Sequence, residues 1–172
     1  MELLRKANVW KPAEYKLGDT LEFEMNDKTV EAFAVKQEED GMIFLFRNCL
    51  DREYQMDEVE GVLKSLVDKV PEELKEMLIP FELDEFFRLP TEKEISGVND
   101  YGVSENTSIS QWECMKKRCN RISFSENDSL EWYWLNTKSS SSSTNFVFVD
   151  IYGGAFCLED NYPRGIRPVF KI

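Results

Sequence analysis

The chemistry open to this chain is narrowed first by a missing side chain. None of its 172 residues is histidine. Histidine is the usual general base near neutral pH and the commonest metal ligand. Ser-His-Asp and Cys-His nucleophile pairs are therefore excluded, as are histidine metal sites. Four cysteines remain, Cys49, Cys114, Cys119 and Cys157. The stretch "CMKKRC" separates Cys114 from Cys119 by four residues on an expected helix, so both could face one ligand. Zinc sites use tighter or paired spacings, and the expectation is free thiols without a metal. No P-loop and no G-x-G-x-x-G occurs. Carboxylates are plentiful, but their spacing singles out no catalytic pair. The expectation is a protein that is not an enzyme and carries no cofactor.

Charge narrows the partners. The net charge is −12, and the excess is concentrated in residues 51–94, where 14 acidic residues face 6 basic ones. Residues 95–172 are nearly neutral, with 9 against 8. An acidic surface repels phosphate backbones, so no nucleic-acid partner is expected. The acids read as solvated helix faces. The longest apolar run, "MIFLF", is strand-sized and far short of the roughly 20 residues of a membrane span. The opening "MELLRKANVW" has no apolar leader core. The expectation is therefore a cytoplasmic chain with no membrane association, unless a larger particle carries it out of the cell.

The elements that would position a site follow from hydrophobic periodicity. "DTLEFEM" alternates with Leu21 and Phe23 on one face, "NDK" is a turn, and "TVEAFAVKQ" follows with Phe33 and Val35 inward. "EEDG" is a hairpin signal whose Asp40-Gly41 suits positive φ, and "MIFLFRN" reads as a strand covered on both faces. "DEVEGVLKSLVDKV" has helical spacing with Asp57 and Glu60 as a capping box, and Pro71 opens a second helical stretch, "PEELKEML". "FFRLP" reads as a short strand. Thr91 with Glu94, and Ser110 with Glu113, mark two further helix starts. The chain then returns to strand with "EWYWL", a packing-free "SSSSST" loop, "NFVFVDIY", a Gly-Gly turn, "AFCL" and "GIRPVFKI". Pro168 cannot donate to a ladder, which places the last strand at an edge or a bulge. Strands, then helices, then strands give an α+β fold, read as one domain over residues 1–172.

At "YWLNT … GGAF … GIRPVFKI" the chain resembles a large, uncharacterised domain family of gut bacteria and their phages. Members carry a W-W-L-R-S/T stretch, a Ser/Asn-rich loop, a strand ending in a Gly turn, and a terminal G-V-R-P-A segment. Here Tyr133, Trp134, Leu135, Asn136 and Thr137 stand at the first motif, and Gly165, Ile166, Arg167 and Pro168 at the last. "KLGDTLEFEM" and "FFRLPTEKEI" are similar to the family's N-terminal strand and its strand-to-helix segment, so the resemblance covers most of the chain. Asn136 departs from the arginine common at its position. The family is similar to the C-type-lectin-like fold, in the version shared with formylglycine-generating enzymes and with the variable proteins of diversity-generating retroelements. The resemblance implies a C-type-lectin-like domain with an N-terminal β meander, central helices and C-terminal strands. The enzymatic cousins need a terminal cysteine pair or histidines, and this chain has only Cys157 near its end and no histidine.

The variable-protein cousins display a ligand face from C-terminal strands and loops, and rigid rings beside small polar side chains suit such a face. The expected face carries Phe146, Phe148, Asp150 and Tyr152 from one side of the "NFVFVDIY" strand, with Asn136, Asn161, Tyr162 and Arg164 from the loops. Trp134, Gly165, Arg167 and Pro168 are expected to be structural, Arg167 reaching a carboxylate or carbonyls inside the domain. The expected function is a binding or display module for a protein surface or a glycan. No Glu-Pro-Asn motif supports calcium-dependent sugar binding. Two alternatives stand beside it: an assembly protein whose aromatic face is an oligomer interface, and an enzyme related to the formylglycine generators that uses Cys157 or a carboxylate.

Overall fold

Alternation builds the first hairpin. The computed structural model describes residues 15–158 and 162–172. β1 (Thr20–Met25) buries Leu21, Phe23 and Met25 and exposes the residues between them. Asn26 and Asp27 both take positive φ, 54° and 60°, the conformation whose twist matches a two-residue hairpin. β2 (Lys28–Gln37) returns antiparallel with Lys28 opposite Met25. All five residues of β3 (Met42–Phe46) are buried. The turn before β3 corrects one expectation, because neither Asp40 nor Gly41 takes positive φ. Gly41 is required for closeness instead, since a Cβ there would sit 2.5 Å from the Ile172 backbone oxygen.

The helices are short. The expected helix over 57–70 forms as a 3-10 turn (Met56–Glu58), α1 (Val59–Ser65) and a second 3-10 turn (Leu66–Asp68). Its cap lies two residues earlier than Asp57 and Glu60 would place it. The Glu58 carboxylate accepts from the Gln55 N–H at 2.8 Å, while Glu60 pairs with Lys64 on the surface at 2.6 Å. α2 (Glu72–Lys75) follows Pro71, and β4 (Phe87–Arg88) precedes α3 (Glu92–Ser96). α3 has the expected capping box: the Glu94 N–H donates to Thr91 Oγ1 and the Thr91 N–H to the Glu94 carboxylate. Glu94 also receives both terminal nitrogens of Arg88, at 2.7 and 2.8 Å, in a largely buried ion pair. The helix expected from Ser110 breaks into a 3-10 turn (Glu113–Lys116) and α4 (Arg118–Arg121), with Lys117 extended between them. Trp112, not Ser110, sits at the cap position, and Cys114 and Cys119 lie on different elements.

The remaining strands are β5 (Ser123–Phe124), β6 (Leu130–Glu131), β7 (Tyr133–Lys138), β8 (Phe146–Val149), β9 (Ala155–Phe156) and β10 (Val169–Lys171). One sheet runs β1-β2-β3-β10-β4, a second runs β7-β8-β9, and β5 pairs with β6. Every pairing between these strands is antiparallel. β10 is therefore interior, not an edge strand. Pro168 lies one residue before it, where only its carbonyl is needed, accepting from the Phe46 N–H at 2.9 Å.

The five-stranded sheet is covered on both faces. Phe23, Phe44, Phe46, Phe87 and Phe170 pack on one face with Leu63, Leu66 and Leu74 from the helical segment. Phe33, Val35, Ile43, Leu45 and Val169 pack on the other against Tyr133, Leu135, Val147 and Val149 of β7 and β8. The result is a small mixed α+β domain of mostly antiparallel sheets. Gly41→Ala is expected to cost about 1–3 kcal/mol, because the new methyl must push β10 away from β3. Thermal denaturation reads this; an unchanged Tm would refute it.

Candidate functional site

The second sheet has two unlike faces. Tyr133, Leu135, Val147 and Val149 point into the shared core. On the other face, Trp134, Phe148 and Phe156 stand opposite one another in register across β7, β8 and β9. Trp134 is buried, and its indole N–H donates to the Tyr54 carbonyl at 2.9 Å. Trp132 stacks on Phe148 at 5.3 Å with the rings 13° apart. The Arg164 guanidinium closes this face from above, 4.1 Å from the Phe148 centroid, 5.0 Å from Trp132 and 5.2 Å from Trp134. A cation over three rings is a favourable, desolvated arrangement. It also means that Phe148 and Arg164, both buried, are spent on each other.

The row of rings leaves the interior only at Phe156, which is 41% exposed. Tyr101, 37% exposed, lies beside it at 5.2 Å between centroids, and exposed Leu158 follows on the same strand extension. A buried carboxylate positions Tyr101. Glu92, fully enclosed, accepts from the backbone N–H groups of Asp100 (3.1 Å), Tyr101 (3.0 Å) and Gly102 (2.8 Å). The Glu92 N–H in turn donates to Thr137 Oγ1 on β7 at 2.8 Å. The serine run is tied into the same corner. Ser140 donates its N–H and its hydroxyl to the Tyr101 carbonyl, and buried Ser139 bonds Ser141. The start of that loop thus has packing content, contrary to expectation.

The expected ligand residues separate accordingly. Asn136 is exposed on β7 and its N–H donates to the Pro90 carbonyl. Phe146 is half-buried, bordering a pocket of about 50 Å³ with Trp134, Asn145 and Leu158. Asp150 is not on a strand face. It builds the β8–β9 turn, its Oδ1 accepting from the N–H groups of Tyr152 (2.8 Å) and Gly154 (2.9 Å). Tyr152 and Tyr162 are the most exposed rings among the described residues, at 65% and 70%. Asn161 lies outside the described residues. The expected alternation fails because Val147, Phe148 and Val149 are all buried, which leaves β8 no open face. Tyr101, Phe156 and Leu158 were not among the expected residues. The only sequence signals for them are a ring in the polar stretch "NDYG" and the alternation in "AFCL".

The residues expected to be structural have interior places. A Cβ on Gly165 would lie 2.6 Å from the Cys49 Sγ and 2.8 Å from the Glu131 Cγ. Arg167 is buried, and no acidic partner occurs among the described residues. Its Nε donates to the Phe46 carbonyl (2.8 Å), and its Nη1 to the Asn120 carbonyl (3.0 Å) and the Tyr133 hydroxyl (3.2 Å). The rings of Phe33 and Tyr133 flank it at 5.6 and 5.2 Å.

A separate cleft of about 670 Å³ lies between the β1–β2 turn, residues 46–51 and residues 125–128. Its cations are paired, Lys28 with Glu126 and Arg47 with Glu31. Cys49 borders it, but burial pushes this thiol up to about 12, and Cys49 bonds the Ser123 hydroxyl at 3.2 Å. Burial also pushes the Cys114 thiol up. All four cysteines are free. Close to Cys49, the Glu131 carboxylate accepts from the Trp132 N–H at 3.1 Å. Burial first, and then the neighbouring Glu53 carboxylate, push Glu131 up to about 7, against weaker pulls from the Trp132 N–H and Arg164.

Two outcomes follow. Arg167→Ala is expected to cost about 3 kcal/mol or more, because it orphans the buried Phe46 carbonyl and the part-buried Asn120 carbonyl and opens a cavity; a Tm within error of wild type would refute this. For Glu131 the folded value lies above the ordinary 4.5. Its contribution is therefore fully present below about pH 4.5 and is lost as pH rises through about 7. Glu131→Gln should melt above wild type at pH 8 and lose that advantage by pH 5. A gap independent of pH would contradict the raised value.

No family model, curated protein or solved structure matches the chain.

Proposed function

We propose that this chain is a non-enzymatic binding or display module with a C-type-lectin-like fold. It recognises a protein surface or a glycan through the ridge formed by Tyr101, Phe156 and Leu158 beside the serine loop. The observation that carries this reading is the Tyr101–Phe156 pair, two large rings in contact and open to solvent, one of them fixed by a buried carboxylate. Rings held in place supply contact area at little entropic cost, and the neighbouring hydroxyls supply hydrogen bonds. The motif resemblance at Tyr133–Thr137 and Gly165–Pro168 supports the same assignment. Burial moves the Cys49 and Cys114 thiols away from thiolate chemistry, which favours binding over catalysis.

The exposed rings also favour a second reading, in which the ridge joins copies of the chain. One experiment separates the two. Wild type and a Tyr101→Ser/Phe156→Ser variant are run on a glycan array and in a lysate pull-down, with light scattering alongside. Capture by wild type, lost in the folded variant, supports the binding module. An oligomer that falls to monomer in the variant, with no capture by either, makes the ridge an assembly surface and overturns the first reading.

A further inference from the structure

The acidic excess of residues 51–94 does not spread evenly over helix faces. Four of its acidic residues line a groove of about 380 Å³ between α1 and residues 82–87. This is within the roughly 300–1,000 Å³ of ordinary ligand clefts. Glu60, Leu63 and Lys64 come from α1, at positions i, i+3 and i+4 of one helix face, and Val67 comes from the 3-10 turn that follows it. Partly buried Val67 and Phe86 make the apolar wall, backed by the core residues Leu63 and Phe87. Glu60, Glu82, Asp84 and Glu85 supply four carboxylates, against the single cation of Lys64, which Glu60 already holds at 2.6 Å.

The turn beside this groove is built to present a side chain. The Glu85 N–H donates to the Glu82 carbonyl at 3.1 Å, and the Phe81 N–H to the Glu85 carbonyl at 2.8 Å. Asp84 accepts a left-handed φ of 61° to close it. Aspartate is one of the few residues with a Cβ that visits this conformation readily. Leu83, at the tip, is 92% exposed, the most exposed large hydrophobic residue among those described. A hydrogen-bonded turn that holds a leucine in water, next to an apolar wall under a carboxylate rim, is half of an interface.

We propose that this groove docks a basic amphipathic helix. Its apolar side chains would seat against Leu63, Val67, Phe86 and Leu83, and its Lys or Arg side chains would meet Glu82, Asp84 and Glu85. Charge complementarity selects this occupant. The rim repels phosphate groups, and an acidic helix would face like charge at every edge. Recognition of an amphipathic helix by a groove is a recurring mode that needs only such an apolar floor and rim. The site shares no residue with the Tyr101–Phe156 ridge and does not depend on it.

The test uses two dye-labelled synthetic peptides of leucine and lysine with identical composition. One places the leucines on a single helical face, and the other is scrambled. Fluorescence anisotropy is read at low and at high salt. Saturable binding of the amphipathic peptide alone is expected, weakening as salt rises. Leu83→Ser and the charge reversal Glu82→Lys/Glu85→Lys should each weaken it roughly tenfold. Tyr101→Ser/Phe156→Ser should leave it unchanged. Amide chemical shifts of wild type should move around Leu63, Val67 and Leu83. Equal binding of the scrambled peptide, an unaffected Leu83→Ser variant that is still folded, or shifts confined to other surfaces would overturn the proposal. So would a homodimer that dissociates on Leu83→Ser, which would make a second copy the occupant.

Discussion

A full positive charge sits in the middle of this molecule without an acidic partner among the described residues, and the arrangement of the two sheets depends on it. Arg167 binds the carbonyl at the end of β3, a carbonyl on α4 and the hydroxyl of Tyr133 at the start of β7. Charging so enclosed a group is costly unless its donors are satisfied. Here the compensation comes from fixed dipoles and two aromatic faces, each on a different element. Those elements cannot move apart without exposing the guanidinium to an unfavourable interior. The segment around Arg167 reinforces the seam. The Trp134 N–H donates to the Gly165 carbonyl, and the Gly165 N–H to the Trp132 carbonyl, before β10 enters the other sheet between β3 and β4. One stretch of eight residues thus belongs to both sheets.

The ridge inherits its rigidity from a second buried charge of opposite sign. Glu92 lies at the start of α3, where a carboxylate is favoured by the unpaired N–H groups, but it spends its oxygens on the loop that follows the helix. Three backbone donors converge on one side chain, so the loop carrying Tyr101 is ordered from inside the domain. The ring can then be exposed without being mobile. Phe156 gains the same property differently, as the last member of a row whose other rings are locked under Arg164. Both exposed rings therefore have anchors that a ligand need not supply.

What the sequence disclosed and what it hid follow from the range of the interactions involved. Local devices were legible: the alternation of β1, the Asn26-Asp27 turn, the five apolar residues of β3 and the Thr91–Glu94 box each depend on residues within a few positions of one another. The failures have long-range causes. Alternation in "NFVFVDIY" suggests an open face, yet Trp132 and Arg164 arrive from elsewhere in the chain to cover it. Pro168 suggests an edge, yet the ladder begins one residue later and β4 closes the far side. Asp57 and Glu60 match a capping pattern, but Arg52 holds Glu58 at 3.0 Å and the helix opens around that carboxylate instead. For the candidate ridge, the exposed rings were not legible: Tyr101 lies outside the stretch from which the expected face is drawn, and Phe156 reads only as part of a returning strand. Exposure of Tyr101 is decided by Glu92 and Thr137, and nothing local to "NDYG" announces either.

The abundance of aromatic residues first reads as a paratope, but packing accounts for most of it. Helices of four to seven residues, and strands that apart from the ten-residue β2 run to two to six, leave irregular segments over much of the core. Large flat rings cover such segments efficiently, because each buries 150–250 Å² or so with few rotatable bonds. Phe23, Phe44, Phe46, Phe87 and Phe170 form one contiguous set of ring contacts for this purpose. Trp134 and Tyr133 also bury polar atoms that find carbonyls, so they join chain segments as well as fill space. Aromatic content alone therefore points to the interior of a domain with little regular structure. The proposed recognition rests on rings left in water although an anchored partner holds them in place, and Tyr101 and Phe156 meet that condition together.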